Sequence, residues 1–285
     1  MRPKLMSAQE NQIGENPLWH PTEKCLYWTD IPTGRLFRYD PVTAKTEQIY
    51  SGEIVGGFTF QVDGGLLLFM EKGRVAKWKD GKLETLIEEI AAEKESRFND
   101  VIADPQGRVF CGTMPTAKDL GRLYRLDPDL SLHLLLEGIN ISNGLGFTFD
   151  QKTLYYTESV ARKIYKFDYD AETGTINNQR TWKEIPPDEG VPDGLAVDAE
   201  GCVWSARWDG GAIYKYAPTG ENVLKIEIPA QKVTSITFGC ENLKNLYVTT
   251  ALDGGTKETE GEGAGALFCV PNAGQGQSEC FSRIK

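Results

Sequence analysis

The sequence predicts an all-β chain folded as a six-bladed β-propeller, on three observations. A short apolar run rich in aromatic and β-branched residues recurs six times, starting at Leu26, Leu66, Val109, Leu154, Val203 and Leu246, at intervals of 40 to 49 residues. One four-stranded propeller blade takes about 40–50 residues. In most units a second run follows in which apolar residues alternate with basic or polar ones, as in Arg35-Leu36-Phe37-Arg38-Tyr39 and Lys163-Ile164-Tyr165-Lys166-Phe167. That period of two belongs to a strand with one buried and one wet face. The runs are broken by Gly, Asp and Pro, which separates them from helical repeats of similar length.

The elements follow in order. Residues 1–12 are mostly polar around Leu5-Met6. A closed ring must join its ends, so this segment is expected to add a strand to the last blade beside Ala266–Val270 and to protect its edge. The repeat runs nearly end to end, which makes residues 1–285 one propeller domain. Gly14–His20 opens blade one. Blade two carries Gly56 and Gly57 on its inner strand, which offer no ligand and leave room for one. Leu83–Ala92 is read as a strand and a short helical turn. Arg97-Phe98-Asn99-Asp100-Val101 opens blade three, and Cys111–Gly121 forms a short pocket rim. His133, among leucines, is a strand-face residue. Ile141-Ser142-Asn143-Gly144 opens blade four, where Gly144 suits a close approach of backbone to ligand. Val191–Asp198 opens blade five, and blade six starts near Ser235. Asp253–Gly265 is read as a mobile turn with no helix after it, which excludes a nucleotide loop.

Stepping back 10 or 11 residues from each recurrent run lands on Glu15, Asn99, Asn143 and Asp193, near Gly56, and on Ser235. Equivalent positions on inner strands form a ring around the propeller axis. Four ring members therefore carry carboxylate or amide oxygens, a donor set without thiolate or imidazole. Such a set suits a hard divalent cation, calcium or magnesium first, with manganese or zinc as alternatives. Arg97 is the basic residue nearest the ring. It either meets a polar substrate or its developing oxyanion, or pairs with Asp100.

Composition excludes several functions. A net charge of −10 leaves no basic face for nucleic acid. No apolar run is long enough to span a bilayer, and Met1–Leu5 leads into no signal-peptide core. The six cysteines form no CxxC pair and read as free thiols, which suits the cytoplasm. Two histidines, with no HExxH and no GxSxG, leave no zinc-protease or serine-hydrolase signature. What remains is a ring of oxygens able to serve a Lewis-acid metal.

The stretches Gly14-Glu15-Asn16-Pro17-Leu18-Trp19, Arg97-Phe98-Asn99-Asp100, Gly112-Thr113-Met114, Ser142-Asn143-Gly144-Leu145, Pro192-Asp193-Gly194 and Leu246-Tyr247-Val248-Thr249-Thr250-Ala251 resemble, in order and spacing, the senescence marker protein 30/gluconolactonase/luciferin-regenerating enzyme family. The resemblance covers about residues 14–270. It implies one divalent metal, calcium first and iron(II) also admissible, in the channel of a six-bladed propeller. The implied ligands are Glu15, Asn143 and Asp193. Asn99 would lie at metal or substrate, Arg97 would contact the substrate, and Asp193 would also activate water. A metal-ligating Asp has a lowered pKa and is a weak base, so activation of water by the metal itself stays open.

The implied activity is metal-dependent hydrolysis of a sugar lactone to the aldonic acid. The alternatives are hydrolysis of other esters or organophosphates on the same site, or a ligand-binding propeller with a structural ion. The expected partner is a small-molecule lactone or ester, taken by a monomer. The chain departs from the pattern at Glu158, at Phe238-Gly239-Cys240-Glu241, and in a short loop after Met114 that lacks the acidic residue some sugar-lactonase members place there.

Overall fold

A computed structural model describes residues 1–285. Six four-stranded antiparallel sheets form the blades of a propeller, and helix is almost absent. Blade one runs Gly14–His20, Cys25–Asp30, Arg35–Asp40, Lys45–Ser51 from the axis outward, and blades two to five repeat this order. Blade six takes Lys232–Gly239, Asn245–Ala251 and Leu267–Val270 from the end of the chain and Lys4–Ser7 from its start. Lys4 pairs with Cys269 and Leu5 with Phe268, so the first strand of the chain closes the ring.

The recurrent apolar runs are the second strands, and they are buried almost throughout because both faces touch neighbouring blades. The alternating runs are the third strands, with Leu36, Phe37 and Tyr39 buried and Arg35 and Arg38 half-buried. Six hydrophobic clusters lie one at each blade interface. Trp204, Phe238 and Phe268, for example, join blades five and six, and Trp19, Trp28 and Tyr247 join blades six and one. Each such buried side chain contributes about 1.5–3 kcal/mol. No single central core exists, because the axis is left as a channel.

Every inner strand packs against the inner strands of both neighbours. Each also shows a register irregularity near its start: Glu15/Leu18, Val55/Gly57, Phe98/Val101, Ser142/Leu145, Pro192/Leu195 and Val233/Ile236. A bulge bends the strand and re-aims its side chains. Residues at and beside several of these bulges line two separate cavities, a front one and a rear one.

Several local expectations are revised. Gly56 does not make room for a ligand: a Cβ there would lie 2.0 Å from the Phe98 carbonyl oxygen of blade three. Gly144 likewise lets blade four approach blade five, since a Cβ would lie 2.5 Å from the Leu195 nitrogen. Asp253–Gly265 is more than a turn. It contains one helical turn, Lys257–Glu260, opened by a Thr256/Thr259 capping box. Leu83–Ala92 does combine a strand end with a short helical turn, and His133 lies on a strand. All six cysteines are free thiols.

Candidate metal centre

Turns between the second and third strands lie at the opposite end of a blade from turns between the first and second. The front cavity, about 540 Å³, is bounded by the former (Ile31, Met114, Ser159, Val160, Arg162, Trp208, Asp209) and by the inner-strand starts. It gathers Glu15, Arg97, Asn99, Asn143 and Asp193 in one place. Asn99, Asn143 and Asp193 are the first residues of their bulges, the point where the strand turns a side chain toward the axis. Glu15 stands one place earlier, on the last paired residue, and its longer side chain reaches the same cavity.

Ser235 is not in this set. In blade six the first bulge residue is Thr234, whose hydroxyl is bonded to the Gly14 carbonyl and to Thr249. Ser235 is the second, and it faces the rear cavity with Asn16 and Asp100.

Glu15 and Asp193 are 4 % and 5 % exposed, and neither meets a protein cation within salt-bridge distance. Burial pushes the Glu15 carboxyl well above its ordinary range, and the charges of Asp100 and Asp193 push it further; the Asn16 N–H (2.8 Å) and Arg97 oppose this. Asp193 is raised by burial and then by Asp100, against the Gly194 N–H, the Asn143 amide and Arg207. Asp100 is pushed up to about 7 by burial, against Arg97. Three carboxyls with raised pKa values mark a site short of positive charge. A divalent cation would supply what is missing: the side-chain oxygens of Glu15, Asn99, Asn143, Ser159 and Asp193 line the cavity with no Cys or His, and the thioether of Met114 is the one soft donor there. The residues therefore fit a hard cation.

Arg97 does not pair with Asp100. Its Nη1 donates to the Phe98 carbonyl (2.8 Å) and to Asn99 Oδ1 (2.8 Å). The remaining guanidinium donors have no protein partner and are free for a ligand. Asn99 Nδ2 donates to the Ser142 carbonyl (2.8 Å) and to Asn143 Oδ1 (3.2 Å), and Asn143 Nδ2 donates to Ser159 Oγ (2.9 Å).

The chain belongs to the SMP-30/gluconolactonase/LRE-like family. Its residues 13–252 match the family model described as the SMP-30/Gluconolactonase/LRE-like region. It is similar to a pentonolactonase, XacC, of Haloferax volcanii, 44 % identical over 280 residues with 96 % of each chain covered. It is 36 % identical over 256 residues to regucalcin of Xenopus laevis, covering 87 % of this chain and 86 % of the other. Among solved structures, a luciferin-regenerating enzyme superposes with a TM-score of 0.91 at 27 % identity, covering 99 % of both chains.

Three residues bear on the site from places that the sequence does not show. Asp100 has a visible signal, since it follows Asn99 directly, but its place across the bulge is not encoded in spacing. Arg207 is fully buried behind Pro192, with Nη1 on Ser205 Oγ, Nη2 on the Tyr216 hydroxyl (2.7 Å) and its face over Tyr214. Ser159 sits in a turn, with only its position after Glu158 to mark it. A second acidic group, Asp198, Glu200 and Cys202, lies elsewhere. There Asp198 is already satisfied by the N–H groups of Glu200, Cys202 and Trp204 and by Lys215 Nζ at 3.0 Å.

Proposed function

We propose that this protein hydrolyses a sugar lactone to its aldonic acid with the help of one divalent cation. The observation that carries the reading is the front cavity, where under-neutralised carboxylates, amide oxygens and a guanidinium with free donors converge in a chain 44 % identical to a pentonolactonase. Pentonolactones and gluconolactone are the first substrates to try. Glu15, Asn143 and Asp193 would hold the cation, calcium first, with Asn99 beside it. When bound, the cation supplies Lewis-acid charge at the lactone carbonyl oxygen.

The chain's own residues do the rest. The free donors of Arg97 orient the substrate's oxygens and favour the charge that develops on the carbonyl oxygen. Asp193 accepts a proton from the attacking water. Water oxygen bonds to the carbonyl carbon, the ring C–O bond breaks, and the proton passes to the released ring oxygen to leave a hydroxy acid. Around the mouth, Ile13, Met114, Ile141, Val160 and Trp208 form an apolar collar. That collar favours a second reading, in which esters with apolar groups are also cleaved. The six free thiols fit a reducing compartment, and the cytoplasm is the proposed location. No helix is long and apolar enough to cross a membrane.

The test is a pH-indicator assay on chelated protein with xylono-, arabinono-, glucono- and galactonolactone and an aryl acetate. Calcium, magnesium, manganese, zinc or ferrous iron is added back singly. Metal-restored turnover of a lactone supports the proposal. Tight metal binding without turnover of any of them would turn the assignment to a binding propeller with a structural ion.

A further inference from the structure

A hydrogen-bond chain with a single direction crosses three blades at the front cavity. Arg97 Nη1 donates to Asn99 Oδ1 (2.8 Å), Asn99 Nδ2 to Asn143 Oδ1 (3.2 Å), Asn143 Nδ2 to Ser159 Oγ (2.9 Å), and Ser159 Oγ to the Pro192 carbonyl (2.7 Å). The two ends dictate the direction. A guanidinium has only donors to offer and a peptide carbonyl has none. Turning over Asn99 would set its NH₂ against Arg97 and its oxygen against the Ser142 carbonyl. Turning over Asn143 would set NH₂ against NH₂. Only one arrangement leaves every member matched.

The geometry points to Ser159 as a positioning residue for the cation site. This rests on the cation reading given above. Because its one proton is spent on Pro192, the Ser159 oxygen must accept from Asn143. That acceptance holds the Asn143 amide with its oxygen toward Asn99, where a second lone pair remains for a cation. The same hydroxyl grips the carbonyl of the residue before Asp193. One side chain from a blade-four turn thus orients an oxygen donor on blade four and anchors the strand that bears another on blade five. Ser159 is 3 % exposed, so bulk water does not substitute for it. Its own turn is held independently, by Ser159 N–H to the Ile141 carbonyl (3.2 Å) and Arg162 N–H to the Ser159 carbonyl (3.0 Å). Loss of the hydroxyl therefore leaves the turn in place and frees the amide to rotate.

The experiment is calorimetric titration of chelator-stripped protein with calcium and with manganese. Removing a group that orients a metal ligand typically weakens affinity about 10–100-fold. Ser159→Ala is expected to show that loss and a smaller metal-induced rise in melting temperature than the parent. Ser159→Thr, which keeps the hydroxyl, is expected to recover most of the affinity. If Ser159→Ala does not fold, Ser159→Cys replaces it, with an intermediate loss expected from the weaker sulfur acceptor. Parent-like affinity in the Ala variant, or in the Cys variant where that replaces it, overturns the role of Ser159 while leaving the cation reading intact. A parent protein that binds neither ion overturns both.

Discussion

The two ends of the channel are built from adjacent residues of the same bulges, yet they have opposite character. At the front, Glu15, Asn143 and Asp193 hold lone pairs that the protein does not use, and Arg97 holds donors that it does not use. At the rear, a cavity of about 350 Å³ is closed by the C-terminal segment, which crosses the mouth and bonds to blade after blade. Gln277 Nε2 donates to the carbonyls of Phe147 (2.8 Å) and Val197 (2.9 Å), Ser282 pairs with Phe60, and Gln61 with Ile284. Cys280, Phe281 and Ile284 cover the apolar clusters beneath. Polar groups matched within the protein make a seal, and polar groups left unmatched around a cavity make a site.

The largest effect expected from breaking this contrast is at the front. Asp193→Ala should lower turnover by about 10²–10⁴-fold, the usual span for a lost general base, and weaken cation binding. Glu15→Gln should weaken cation binding and abolish turnover. Steady-state assays and calorimetry check both, and parent-like cation affinity in the two variants would refute the ring assignment. At the rear, Ile284→Ala should cost about 2–5 kcal/mol of stability by leaving a cavity, with kcat unchanged, as read by denaturant unfolding and the lactone assay. A milder break is Gln277→Ala, which strands two carbonyls on different blades and should cost about 1–3 kcal/mol, again without a change in cation affinity.

The smallest effect sharpens the boundary between the two ends. Asp100 lines the rear cavity, but its charge raises Glu15 and Asp193 at the front. Its folded pKa of about 7 lies above an unfolded value of about 3.9. Between those values the folded chain binds more protons than the unfolded one, so metal-free protein should lose stability as pH rises from about 4 to 7. Asp100→Asn should flatten that decline, and added cation should offset it at the upper end. Melting curves in chelator across this range decide the point; a decline as steep in the variant as in the parent would remove Asp100 from the charge balance.

The amino-acid sequence alone determined the blade count, the order of strands within a blade, and the four oxygen-bearing residues of the front cavity. These are local or periodic features: a strand announces itself by period two, and a repeat by its spacing. The tertiary structure decided what lies across the bulges and between blades. It placed Asp100 and Ser235 at the rear, spent Gly56 and Gly144 on backbone contacts, and brought Arg207 behind Pro192 and Ser159 against Asn143. It also folded the residues after Val270, which carry no repeat signal, into the rear seal. The physical reason is direction. A bulge turns neighbouring side chains to opposite ends of a channel, and a contact between blades joins residues far apart in the chain, so neither leaves a mark in local spacing.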